Sequence, residues 1–241
     1  MGAKEHYDNL LGDVYTWMSG DFTESRNNFL ALLKEQSVLP DKTKVALDLG
    51  AGHGVQTSAL IELGFNVIAV DFNRQLLDEL RKNNPGENLT VVDGRVETVA
   101  DFAFDQPELI VCWGDTLAHL ESFEAIVEFL QNCFFTLITN GRLVLSFRDY
   151  THELTGSDRF IPVKSDDRRI MTCFLEYTWE KVIVTDIIYE KTGAGWQQKV
   201  SSYPKIRLTR DWVLDFLENM GLRIIFNETQ NGFVKLIAVK Q

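Results

Sequence analysis

The sequence predicts a three-layer α/β sandwich: a mostly parallel sheet of seven strands, helices on both faces, and a small antiparallel sheet inserted late in the chain. Three observations carry that prediction. Between residues 45 and 147, short apolar runs alternate with helical segments, the pattern of a parallel sheet covered on both sides. From about 169 to 208 the chain turns to long β-branched and aromatic segments joined by tight turns. It closes with a helix and two extended runs around Asn231-Gly232, a strong hairpin signal.

The elements follow in order. Residues 1–40 read as a helical N-terminal arm, with helical periodicity over 21–38 and Asp21 and Glu24 at capping-box spacing. A core over 41–150 begins with the strand Val45–Leu49 and a helix over 54–63. Asn66–Val70 is a second strand, and Asn73 caps a helix over 73–83. Leu89–Val92, Glu108–Cys112 and Arg142–Phe147 complete five core strands, with a long amphipathic helix over Ser122–Thr139. The insert over 151–208 holds three extended segments, 169–178, 181–191 and about 196–208, with Thr192–Gly195 as a turn. The last unit, 209–241, has a helix capped by Thr209 and ended by Gly221, then strands over 222–229 and 233–239.

Composition narrows the function. The 241 residues carry 24 Lys and Arg against 35 Asp and Glu, a net charge of −11. Phosphate contacts need clustered basic residues, so no nucleic-acid partner is expected. The same charge opposes an anionic membrane surface, and no apolar run is long enough to span a bilayer. Three cysteines without C-x-x-C spacing argue against a disulfide framework or structural zinc. His6, His53, His119 and His152 show no ligand spacing, so no metal is expected. No apolar run follows Met1–His6 as in a signal peptide, and a cytoplasmic protein is the expectation.

The most informative stretch is Asp48-Leu49-Gly50-Ala51-Gly52-His53-Gly54. Alternating glycines let the backbone turn sharply between strand and helix and approach a ligand closely. The following helix offers free N–H groups at that edge. Asp71 ends the second strand, where a carboxylate can accept from both ribose hydroxyls of a nucleoside. A dinucleotide fingerprint wants G-x-G-x-x-G, and here the third glycine comes one residue early.

This stretch resembles motif I of the class I S-adenosylmethionine-dependent methyltransferases, which combine an acidic residue with G-x-G-x-G after strand one and a second acidic residue after strand two. The resemblance covers about residues 40–150 and 209–239 and extends to the final antiparallel hairpin. It implies a Rossmann-like core and S-adenosylmethionine as cofactor, with Asp48, Gly50, Ala51, Gly52, Gly54 and Asp71 at its site. It also places Asp93-Gly94-Arg95 near the adenine, with Asp93 either accepting from the adenine amino group or capping its own loop. Phe72 is a candidate to pack on the adenine or in the core, and Trp113-Gly114-Asp115-Thr116 stands at the substrate-facing motif. Tyr7, Tyr15 and Trp17 form an aromatic group in the arm; as in many small-molecule methyltransferases such a segment can close over the donor, its ring faces stabilising a sulfonium, or it can simply pack.

The methyl acceptor needs a lone pair and, if protonated, a nearby base. Asp115 and His119 stand at i and i+4 on one face, as an acid–base pair or as a cap and its neighbour. Arg148 and Tyr150 follow strand five; Arg148 either grips a substrate anion or pairs with Asp149 or Asp115. Tyr203 in the insert is a further candidate to face the pocket. The insert is similar in layout to the lid sheets of glycine N-methyltransferase and amino-sugar N-methyltransferases, implying an enclosed small-molecule acceptor. The expected activity is methyl transfer to nitrogen or oxygen of a metabolite. Its rivals are a non-catalytic S-adenosylmethionine binder on the same fold and a nucleotide-dependent oxidoreductase, which the glycine spacing disfavours.

Overall fold

The computed structural model describes residues 2–241; Met1, the first residue of the expected arm, lies outside them. The arm is helical from its start, as α1 (Ala3–His6), a π-helical turn (Tyr7–Leu11) and α2 (Gly12–Met18) run on without a break. Helix α3 (Phe22–Glu35) begins where the Asp21 carboxylate accepts the Glu24 N–H at 2.7 Å, as the capping spacing predicts.

The core alternates as expected: β1 (Val45–Leu49), α4 (Val55–Leu63), β2 (Asn66–Asp71), α5 (Arg74–Asn83), β3 (Leu89–Asp93), β4 (Leu109–Cys112), α6 (Phe123–Thr136) and β5 (Arg142–Arg148). Ser122 caps α6 through the Ala125 N–H. That helix stops three residues short of the expected end, because Leu137 already has extended dihedrals. After the insert come α7 (Arg210–Asn219), β10 (Leu222–Gln230) and β11 (Phe233–Lys240).

The strands form one seven-stranded sheet in the order β10-β11-β5-β4-β1-β2-β3. β1 lies parallel to β2 and β4, β3 parallel to β2, and β5 parallel to β4, while β11 runs antiparallel to both β5 and β10. The order therefore reverses on either side of β1, which opens a crevice at the carboxyl ends of β1 and β4, where open α/β sheets bind ligands.

Alternation along β1 divides the core between two layers. Leu47 and Leu49 join Phe129, Leu130, Val213 and Leu217 of α6 and α7, whereas Ala46 faces Phe29, Leu33, Leu60 and Leu80 of α3, α4 and α5. Each such fully buried side chain contributes about 1.5–3 kcal/mol. One buried charge has a structural task. The Glu108 carboxylate, just before β4, accepts from the backbone N–H groups of Asp41, Lys42, Thr43 and Lys44 at 2.6–3.1 Å, fixing the entry into β1.

The insert is a sheet of four strands where the sequence predicts three: β6 (Phe160–Ser165), β7 (Arg169–Tyr177), β8 (Lys181–Thr192) and β9 (Gly195–Ile206), in that order and all antiparallel. The unexpected strand β6 lies at the edge, where Pro162 and a register shift are tolerated. One face of this sheet covers the crevice. Met171 and Ile188 bury Leu10, Leu11 and Val14 of the arm, while Leu175, Val182, Val184 and Tyr203 enclose Tyr150. Among the described residues no helix is long and apolar enough to cross a membrane.

Candidate active site

The glycine loop folds as it does because its backbone needs it. Gly50, Gly52 and Gly54 have φ of 75°, 54° and 94°, a region that L side chains rarely adopt. A Cβ on Gly50 would lie 2.5 Å from the Thr116 methyl, and one on Gly54 would lie 2.5 Å from Asn84 Nδ2. The loop is thus clamped between the β4 exit and α5, and its Gly50 and Ala51 N–H groups donate to the Val70 carbonyl of β2.

Asp71 stabilises the loop from the side. One carboxylate oxygen accepts the Gly52 N–H at 2.9 Å, and the other accepts the Asn73 N–H at 2.8 Å. Each oxygen keeps a lone pair for a ligand. Burial pushes this carboxyl up, and the backbone donors of Asn73 and Gly52 pull it back.

Above these residues lies a cavity of about 410 Å³, walled by the core, the arm and the lid sheet. It gathers nine of the residues singled out from sequence: Gly50, Gly52, Asp71, Phe72, Arg95, Tyr7, Tyr15, Thr116 and His119. Tyr15 crosses the glycine loop, its ring 3.6 Å from where a Gly52 Cβ would stand. Burial pushes its phenol up to about 12 and also raises that of neighbouring Tyr7, so both rings face the cavity uncharged. Arg95 is held to Glu97 and Glu121 at the rim.

The other predicted residues stand elsewhere. Gly94 packs on Val70 and Val92, and Asp93 pairs with the exposed Arg74 at 2.7 Å. Trp17 turns away to the lid, donating to Asp166 at 2.6 Å. Ala51 and Trp113 line a separate, more open groove beside α3, where Trp113 meets Phe29 edge-on. Arg148 reaches outward to the Asn231 carbonyl and over the Phe233 ring.

Asp48 is fully buried behind the loop and accepts the Thr57 hydroxyl at 2.6 Å. Burial pushes its carboxyl from the ordinary 3.8 up to about 7. Unfolding then releases a proton that the native state holds, so stability falls as pH rises between about 4 and 7 and levels off above. Asp48→Asn, which keeps the acceptor oxygen and avoids ionisation, is expected to stabilise the protein at pH 8 by on the order of 3 kcal/mol. The gain should vanish near pH 4; a denaturant melt series whose difference from wild type does not change with pH would refute this.

A second polar cluster, only partly foreseen, sits where the lid meets the β4 exit. Asp115 accepts from the Lys205 ammonium at 2.5 Å, the Tyr150 hydroxyl at 2.9 Å and the Arg148 backbone N–H at 2.9 Å. Burial alone would raise the Asp115 carboxyl, but the Lys205 charge, with its hydrogen bond and that of the Arg148 N–H, holds it below the usual carboxylate range. Burial likewise opposes the Lys205 charge, and Asp115 keeps its affinity for the proton well above normal. Burial and then the Lys205 charge force His119 down to about 3, so its imidazole is neutral. Its Nδ1 is buried without a hydrogen-bond partner. The His119 ring stacks on Tyr203 at 5.4 Å, which stacks on His6 at 4.1 Å.

His119 and Lys205 both line the cavity, while Tyr150 is buried behind them. Lys205 and the contact of His6 with Asp186 are what sequence reasoning left out. For Lys205 a signal existed, since it shares a face of β9 with Tyr203 by strand alternation. Among the described residues no group of three or more His, Cys, Asp or Glu is placed to hold a metal.

Comparison with known proteins bears on the domain and the fold. Residues 46–141 match the family model described as a methyltransferase domain. The chain is 27% identical over 235 residues to glycine N-methyltransferase of Oryctolagus cuniculus, covering 86% of this chain and 77% of that one. It is 30% identical over 106 residues to the ubiquinone biosynthesis O-methyltransferase of Actinobacillus pleuropneumoniae, covering 43% of this chain and 45% of that enzyme's length. Among solved structures it shares its fold with CalS10, an amino pentose methyltransferase from Micromonospora echinaspora, at a TM-score of 0.75 and 14% identity, covering 96% and 97% of the two chains.

Proposed function

We propose that the chain is a class I S-adenosylmethionine-dependent methyltransferase that moves a methyl group from S-adenosylmethionine to a nitrogen or oxygen of a small molecule. The observation that carries this reading is the enclosure, in one cavity, of the glycine loop, the buried Asp71 carboxylate and the aromatic faces of Tyr7 and Tyr15. The residues suit the donor. Asp71 has lone pairs left for two ribose hydroxyls, Phe72, Leu76 and Val96 offer an apolar slot for a base, and the tyrosine faces attract a sulfonium. When bound, the donor supplies an activated methyl group, so the chain needs mainly to align the acceptor and keep water out. Lid and arm perform the second task, and a cavity of about 410 Å³ fits small molecules only. Glycine and amino-sugar N-methyltransferases among the similar proteins favour such an acceptor.

The test is calorimetry with S-adenosylhomocysteine and, separately, NAD, followed by transfer of labelled methyl groups to small acceptors. Saturable binding of S-adenosylhomocysteine but not NAD, with label appearing in a small molecule, is the expected result. Binding without transfer to any acceptor would leave a non-catalytic binder, and no binding to folded protein would overturn the reading.

A further inference from the structure

We propose that Lys205 is a positioning residue for an amine acceptor: its buried ammonium, locked to Asp115 in the roof of the cavity beside His119, keeps the acceptor nitrogen in its unprotonated form. This rests on the methyl-transfer reading above and decides between nitrogen and oxygen within it.

The argument starts from what the cluster lacks. A hydroxyl acceptor needs a group able to take its proton. Asp115 does not line the cavity: it stands behind Lys205, accepting from that ammonium, from Tyr150 and from the Arg148 N–H. His119 is neutral and too weakly basic to draw a proton from an alcohol. The phenols of Tyr7, Tyr150 and Tyr203 are raised by burial and stay protonated. An acceptor at this end of the cavity must therefore bring its own lone pair, as a free amine does. His119 is suited to accept one N–H of that amine and so orient the lone pair.

An amine in water is mostly protonated at neutral pH, and Lys205 acts against that. A positive charge in a partly dry site disfavours a second one nearby. His119 already registers the effect: at its ring the Lys205 charge outweighs the opposing Asp115 carboxylate, and His6 adds to the same side. Farther along the cavity Lys4, Arg95 and Lys181 face Asp71, Glu97 and Glu121, three of each sign. Those charges balance, so the sign at the His119 end is set by the Lys205–Asp115 pair, whose ammonium lines the cavity while its carboxylate does not. In the transfer the nitrogen lone pair forms the new N–C bond while the C–S bond breaks with its electrons going to sulfur. The ammonium so formed gives its extra proton to water as the product leaves.

Two measurements test this. The first needs no acceptor. NMR follows the imidazole of His119, assigned by its loss in His119→Gln, against pH in wild type, Lys205→Met and Lys205→Arg. Followed down to pH 3, His119 should stay neutral until the bottom of the range in wild type and in Lys205→Arg. In Lys205→Met its titration should move up by at least about one unit. The double variant Lys205→Met/Asp115→Asn leaves no unpaired buried charge and guards against misfolding; its His119 should titrate between the two single cases. An unmoved His119 in both Met variants would overturn the proposal.

The second measurement offers labelled donor with glycine, sarcosine and a 3-amino sugar, beside glycolate and the parent sugar. Amines should be methylated in preference to hydroxyls. The alkaline rise of kcat, which reports the bound amine, should shift up by about one pH unit in Lys205→Met and return in Lys205→Arg. Preference for the hydroxyls, or an unmoved profile, would overturn the proposal. S-adenosylhomocysteine binding with no acceptor methylated would instead overturn the methyl-transfer reading, whatever the histidine shows.

Discussion

Asp71→Ala should weaken S-adenosylhomocysteine binding by about 100-fold or more, the loss of two hydrogen bonds to a charged acceptor. The carboxylate does two jobs at once. It holds the Gly52 and Asn73 N–H groups at 2.9 and 2.8 Å, and it leaves the remaining lone pairs to the cavity. Alanine removes both the ligand contacts and the support of the glycine loop. Its effect on stability should be small, because the two unpaired N–H groups cost about 1–3 kcal/mol each while the burial of a charge is relieved. Asp71→Asn should lose nearly as much affinity, since its amide N–H₂ would face one of the two backbone donors. Asp93→Ala is the control. That side chain is paired with exposed Arg74 and lies outside the cavity, so its variant should bind like wild type. Calorimetry beside thermal melts reads all three; undiminished affinity in folded Asp71→Ala would remove this carboxylate from the donor site.

The glycine-loop side of the cavity was legible from sequence because its requirements are local. Positive φ at Gly50, Gly52 and Gly54 excludes other residues, and a strand ending in Asp71 puts its carboxylate at the sheet edge. The succession of elements along the chain was legible for the same reason, since each apolar run and the caps at Asp21, Asn73 and Thr209 mark their own elements. The acceptor half depends on contacts between distant segments. Lys205 meets Asp115 across 90 residues, and His6 meets Asp186 across 180, and no local pattern marks either pair. Trp17 shows the converse. Its place in an aromatic group suggested the cavity, but the lid edge offers its indole N–H a carboxylate, Asp166, and the ring turns there. Strand β6 escaped notice because Pro162 weakens the strand pattern, and only an edge position accommodates it.

The second large effect is expected at the join between arm and lid. Asp186→Ala should lower the melting temperature by roughly 10 °C and loosen the arm before the core unfolds. The His6 side chain is fully buried, with Nε2 2.8 Å from Asp186 and Nδ1 2.7 Å from the Ser201 hydroxyl. Asp186 also accepts from the Cys173 thiol at 2.7 Å. Removing the carboxylate strands two polar groups in a site that water does not reach, and breaking such a buried pair costs about 3–5 kcal/mol. The arm has a simple way out of that loss, which is to lift off and let His6 meet solvent. Tyr7 and Tyr15 would leave with it, taking two aromatic walls from the cavity. Hydrogen exchange should therefore rise over residues 3–18 while β1, β4 and β5 stay protected, and S-adenosylhomocysteine affinity should fall together with that protection. Asp186→Asn, which keeps an acceptor for His6, should recover most of both. If Asp186→Ala melts as one unit with an arm as protected as wild type, the pair contributes stability only, and closure of the cavity rests on the apolar contacts of Leu10, Leu11 and Val14 with Met171 and Ile188.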